Sequence, residues 1–280
     1  MVDDAMSGRC GTRGLRQATL AALVALAAAG WAGGAAGQAL PLGPSDGGGS
    51  PVEIEAAESL EWRQDEQLYV ARGDAVLRRD DVEIRADVLT ANYTEGEDGA
   101  VQVERATATG GVIITAAEGE VTAASAVYDL VRDVVVLRGD PVVLTSTDGT
   151  VTAEDTMEYY PGQGLAVARG NAVVEREDQR VEAEVLTGEF EEVDGEQQLA
   201  RVSATGGVLI TTATDIVRAD EATYDVRANV ATLSGNVRLT RGANQLNGDF
   251  AEVNLDTGLS RLMARPGGAG RVSGLLVPDQ

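Results

Sequence analysis

The sequence contains no histidine and no lysine, and its one cysteine is Cys10. Those absences remove most of the chemistry a chain of 280 residues could perform. Ser–His and Cys–His nucleophiles, histidine metal ligands, Ser–Lys pairs and lysine Schiff bases all need residues that are missing. Carboxylates remain, with 45 Asp and Glu against 22 basic residues, every one an arginine. Paired carboxylates can hydrolyse glycosides, and an exported right-handed β-helix acting on acidic polysaccharide would be the form that idea takes. Two features oppose it. The acidic residues alternate with apolar ones, which places them on a wet face, and the repeat intervals (29 to 37 residues) are longer and less even than the coils of such a helix. The chain is expected not to be an enzyme. The acidic stretch TEGEDG at 94–99 lacks the ligand spacing of a calcium loop. It reads as a solvated turn, so no metal and no cofactor are expected.

What the sequence has in quantity is β-branched and small apolar residues in short alternating runs. Val82, Ile84, Ala86 and Val88 alternate with Glu83, Arg85 and Asp87; Val181, Ala183 and Val185 alternate with Glu182 and Glu184. A period of two is a strand with one apolar and one wet face. The phrase ATATGGVIIT at 106–115 returns as VSATGGVLIT at 202–211, and ARGDAV at 71–76 returns as ARGNAV at 168–173. Residues about 70–145 and 167–241 are two copies of one unit. Gly-Asp, Gly-Gly and Gly-Asn dipeptides punctuate both copies and read as tight turns. The expected fold is all-β, a solenoid-like stack of about 18–20 short strands whose neighbours close a continuous apolar interior.

The first 39 residues read as a cleaved secretory signal: three arginines, twelve apolar residues at 18–29, then small residues ending at Ala39. A Gly/Pro-rich segment at 40–51, a repeat domain at 52–263 and a flexible tail at 264–280 complete the expected organisation. Beyond Ala39 the chain loses three arginines and two acidic residues, so the formal charge moves from −23 to −24. That charge opposes nucleic-acid binding, which depends on neutralising phosphates.

The stretch RADEATYDVRANVATLSGNVRL at 218–239 combines an A-x-Y-D strand, a short turn and a strand ending L-x-G-N-V. The same grammar recurs in TAASAVYDLVRDVVVLRGDPVVL at 122–144 and in VTAEDTMEYYPGQGLAVARGNAVV at 151–174. This pattern resembles the OstA-like (LptA) family of lipopolysaccharide transport proteins. The resemblance implies an open, twisted β-jellyroll of two V-packed antiparallel sheets around an apolar groove. It further implies a periplasmic location and lipopolysaccharide as cargo. The implied partners are an inner-membrane exporter subunit of the same fold, an outer-membrane translocon and further copies joined head to tail. An exported structural β-solenoid or adhesin without lipid is the competing expectation.

Candidate groove-lining residues follow from the alternation. In the first copy and the segment after it they are Val76, Ile84, Val88, Val112, Ile114, Val127, Val142, Leu144, Val151 and Met157. In the second they are Val173, Val181, Val185, Val208, Ile210, Val217, Val237, Leu239, Leu246 and Phe250.

Overall fold

The computed structural model describes residues 52–79, 82–96, 101–116, 119–147, 149–193, 196–254, 257, 259–264 and 271–277. The signal reading, the 40–51 segment and most of the tail lie outside the described residues. Among the described residues eighteen strands form one antiparallel sheet. The first six are β1 (Glu53–Glu55), β2 (Ser59–Arg63), β3 (Leu68–Arg79), β4 (Val82–Glu95), β5 (Val101–Ala116) and β6 (Gly119–Asp129). Then come β7 (Val134–Arg138), β8 (Val142–Ser146), β9 (Gly149–Ala153) and β10 (Thr156–Tyr160). After a single 3-10 turn at Pro161–Gln163 come β11 (Leu165–Arg176), β12 (Gln179–Val193), β13 (Glu196–Thr211) and β14 (Asp215–Asp225). The chain closes with β15 (Val230–Arg241), β16 (Asn244–Asn254), β17 (Leu259–Met263) and β18 (Ser273–Leu275).

Each long strand is interrupted near its middle, and the β4–β5 and β12–β13 pairs shift register a second time, at Asn92/Tyr93 and Glu189/Phe190. The register shifts at 72/75 in β3, 109/112 in β5, 169/172 in β11, 205/208 in β13 and 234/237 in β15. These bulges line up across the sheet and fold it into two wings. Where β3, β6, β11 and β16 carry one long strand through the corner, two short ones pair with its halves: β2 and β1 with β3, β7 and β8 with β6, β10 and β9 with β11, β17 and β18 with β16. The result is two V-packed antiparallel layers, as the all-β, open jellyroll reading requires.

The glycine dipeptides correct one expectation. Five of the six sit inside strands of up to 16 residues, at the bulges, and do not end the strands; Gly139-Asp140 alone separates two strands, β7 and β8. Gly110 has φ +81° and Gly111 φ +56°, a conformation that costs an L side chain about 1–2 kcal/mol. A Cβ on Gly110 would also lie 2.1 Å from Asp87 Oδ2 on the neighbouring strand, whereas one on Gly111 would meet open space. Gly110→Ala is therefore expected to lower stability more than Gly111→Ala, each by at least about 1 kcal/mol, read from urea midpoints.

The Tyr-Asp motif makes the hairpins. Asp129 Oδ1 accepts the Arg132 backbone N–H at 3.0 Å, and Asp225 Oδ1 accepts that of Ala228 at 2.8 Å. Both are side-chain-closed turns. The following positive-φ residues, Asp133 and Asn229, take hydrogen bonds from the hydroxyls of Tyr128 and Tyr224 at 3.4 and 2.6 Å. Arg105 Nη2 donates to Asp129 Oδ2 at 2.8 Å. That hydrogen bond, then the Arg132 N–H, holds the Asp129 carboxyl below the usual aspartate range. A depressed carboxyl stabilises the fold above its unfolded pKa and loses that contribution as pH falls through its folded value. The Tm deficit of Asp129→Asn is expected to be full at pH 7 and to shrink below about pH 4, measured by thermal melts across that window.

Candidate lipid-binding interior

The bulges decide which side chains face inward. The extra residue sits on β3 and on β5, and β4, paired between them without one, changes its inward-facing set at the corner. In β4 the buried residues run Ala86, then Leu89, Ala91 and Tyr93. Val88 falls on the other face, in register with Arg72 and Thr109.

In the wing built from β1, β8, β9, β18 and the matching halves of the long strands, one cross-strand row is aliphatic from β1 to β16 and ends on Gly274 of β18. It runs Ile54, Leu77, Ile84, Ile114, Val121, Leu144, Val151, Val174, Val181, Ile210, Val217, Leu239 and Leu246. Next to it, at the corner, lie small or β-branched residues, among them Ala75, Val112, Val142, Ala172, Val208 and Val237, none more than 2% exposed. The facing wing carries a row in which leucine or methionine is set among alanines: Leu89, Ala108, Ala126, Leu137, Met157, Ala168, Leu186, Ala204, Ala222, Leu233 and Ala251. Large beside small lets the two wings interdigitate at interior density. Buried residues of both wings form one apolar cluster through most of the length, and Ala219, Leu233, Val237 and Ala251 continue it at the C-terminal end.

This interior is not equally closed along its length. Ile114, Val121, Leu144, Val151, Val174 and Val181 are buried. Toward the first strands Leu77 and Ile84 are half-buried, and toward the last so are Ile210, Val217, Leu239 and Leu246. The inner face is sealed in the middle and partly reached by water toward both ends.

Fourteen of the twenty sequence-predicted lining residues come together on these inner faces. They are Ile84, Val112, Ile114, Val142, Leu144, Val151, Val181, Val208, Ile210, Val217, Val237, Leu239 and Leu246 in the first wing and Met157 in the second. Six fall on the opposite face. Val76 registers with Glu55 and Arg85, Val88 with Arg72, Val127 with Thr107, Val173 with Glu182, Val185 with Arg169 and Phe250 with Ser234. The second wing's inner leucines, alanines and tyrosines were not predicted, although the A-x-Y-D motif held the signal. Ala126 and Tyr128, like Ala222 and Tyr224, are two apart and so share a face.

The two ends are also sheet edges. Among the described residues, β1 and β2 pair only with β3, and β17 and β18 only with β16. Leu60 and Trp62 are exposed at the first edge, Leu259, Met263, Leu275 and Leu276 at the second. Trp62 stacks on Tyr69 at 5.7 Å between ring centroids, and its Nε1 donates to Tyr93 Oη at 2.7 Å. Among the described residues no helix is long and apolar enough to cross a membrane, and no group of acidic residues is placed to hold a metal ion.

A bent antiparallel sheet with an aliphatic interior and unpaired end strands defines a class of apolar-lined, two-winged β proteins. The model of the family described as "LptA/(LptD N-terminal domain) LPS transport protein" matches residues 53–155 and 216–267, more than half of the chain. The chain belongs to this family and is, in that general sense, a lipopolysaccharide transport protein. Among solved structures it is similar to LptH of Pseudomonas aeruginosa, described as the LptA homologous periplasmic component of the conserved lipopolysaccharide transport device. The identity is 16%, the alignment covers 46% of this chain and 94% of that one, and the TM-score is 0.40. No curated protein matches the chain.

Proposed function

We propose that this chain is a periplasmic carrier that shields lipopolysaccharide acyl chains between its two wings while the headgroup stays in water. It acts as a carrier and not as a catalyst. The observation that carries this reading is the unbroken aliphatic row from Ile54 to Leu246, half-exposed at both ends. Each methylene removed from water contributes about 0.8 kcal/mol, so on the order of ten shielded methylenes outweigh the cost of ordering one chain. The net charge of −23 disfavours capture through the phosphorylated head and leaves the acyl chains as the handle.

In this reading the chain bridges an inner-membrane exporter subunit of the same fold and an outer-membrane translocon. Exposed edge strands recruit further strands, so β17 and β18 of one copy meet β1 and β2 of the next, head to tail. The closed middle favours a second reading, a structural solenoid without cargo.

Site-specific photo-crosslinking separates the two. A crosslinker at Ile210, on the open inner face, is expected to capture lipopolysaccharide in cells with an outer membrane. One at Glu83, in register with Thr115 on the outer face, is expected not to. Equal capture at both positions, or none at Ile210, supports the solenoid.

A further inference from the structure

On the outer face of the last third of the sheet, Arg218 in β14 lies directly opposite Arg238 in β15. Like charges opposite one another on an antiparallel pair are destabilising. Both side chains are exposed, and among the described residues neither makes an ion pair. Most other arginines of the sheet are paired. Arg78 and Arg85 share Glu83 between them, Arg180 is held by Glu175 and Glu182, and Arg241 grips Asp215 through two contacts of 2.6 and 2.8 Å. In a chain with twice as many acids as bases, two adjacent unpaired arginines stand out.

The fold does not require them. The first repeat builds the same two positions with Thr122 and Val143, which face each other across β6 and β8. Thr122 registers with Ile113 just as Arg218 registers with Leu209. The second repeat thus carries a pair of charges that the first omits.

The two arginines line an open cavity of about 370 Å³ with Gly207, Leu209, Asp220 and Asn236. Gly207 is a bulge residue outside the pairing register, with open space where a Cβ would stand. Asn236 Nδ2 donates to Asp220 Oδ2 at 2.9 Å, which engages the one carboxylate in the cavity and leaves both guanidinium groups free.

The geometry points to an anion site for a phosphate group, bound by Arg218 and Arg238 together on the outer face of the sheet. Two guanidinium forks suit the several oxygens of a phosphate monoester or diphosphate, where a lone carboxylate would occupy only one. The phosphate can belong to a lipid headgroup or be free in solution. The site stands apart from acyl binding, since it is on the opposite face from Val217 and Val237.

The test titrates the purified full chain with sodium pyrophosphate, with inorganic phosphate and with micellar lipid A, by calorimetry at low ionic strength. The double variant Arg218→Thr/Arg238→Val, which restores the first repeat's residues, serves as comparison. The wild type is expected to bind pyrophosphate, the variant at least about tenfold more weakly, with unchanged Tm. Added salt is expected to weaken the wild-type binding. Lipid A binding that falls in the variant and exceeds that of pyrophosphate identifies a headgroup site, while parity with pyrophosphate identifies a site for free phosphate. Absence of binding by every probe up to millimolar concentration, or equal binding by wild type and variant, overturns the proposal. The inner-face variant Ile210→Glu is expected to leave pyrophosphate binding unchanged, which separates failure of this site from failure of the acyl-chain reading.

Discussion

Leu186→Ala is expected to cost about 2–5 kcal/mol of unfolding free energy, and Val185→Ala, one residue earlier, less than about 1 kcal/mol. Leu186 is 2% exposed and stands between Ala168 and Ala204 on the inner face. Its neighbours are already alanines, so nothing beside it can grow into the space its side chain would vacate. The cavity term then adds in full to the lost transfer energy. Val185 lies on the outer face, in register with Arg169 and Thr205 and half-buried. Truncating it removes methyl groups that water already partly reaches. Urea unfolding of both variants, compared at their midpoints with unchanged m-values, checks the difference. Equal losses would mean that β12 does not change its inward face between Glu182 and Val185, and the assignment of every inner face beyond the corner would fall with it.

That pair of residues also marks the limit of what the sequence discloses. The run Val181, Ala183, Val185 alternates without a break on paper, and the structure follows it for two residues before the bulge intervenes. Nothing in the residue types at 182–185 announces a change of inward face. The change is imposed by the extra residues on its two partner strands, at Gly170-Asn171 on β11 and Gly206-Gly207 on β13. The wing containing Ile84, Ile114, Val151 and Ile210 was legible because each of its segments lies wholly on one side of a bulge and ends in a hairpin, so a period of two survives. The other wing hid its inner face among alanines, which composition alone assigns to neither face. Its one loud signal was the Tyr-Asp pair. Tyr128 and Tyr224 point to a hairpin whose geometry became plain only when Asp129 and Asp225 were seen to close it. The all-β antiparallel character, the duplication and the family pattern are local properties of the chain. Wing membership is a property of strand pairing.

Ile210→Glu is expected to abolish lipid A retention, weakening binding by at least about tenfold, while the protein stays folded. Ile210 sits in the aliphatic row between Val181 and Val217, and it is half-buried. A glutamate there reaches water when the interior is empty, so the fold bears the change. With an acyl chain alongside, the same carboxylate must be desolvated, at a cost of several kcal/mol, and 1.4 kcal/mol already corresponds to a tenfold loss. The same substitution at Ile114 is not a usable test. That residue is 6% exposed in the closed middle, and a charge there is expected to unfold the chain. Thr211→Glu is the control, one residue along the strand and on the outer face opposite Arg180. It adds the same charge to the same strand and is expected to leave lipid binding unchanged. Binding of a fluorescent lipid A by the wild type and both variants, with melting curves to confirm folding, reads the result. Loss of binding by Ile210→Glu alone places the acyl chains on the inner face. Loss by both variants assigns the effect to the overall charge. Wild-type binding by Ile210→Glu removes cargo from this end of the interior and leaves the closed sheet as a scaffold.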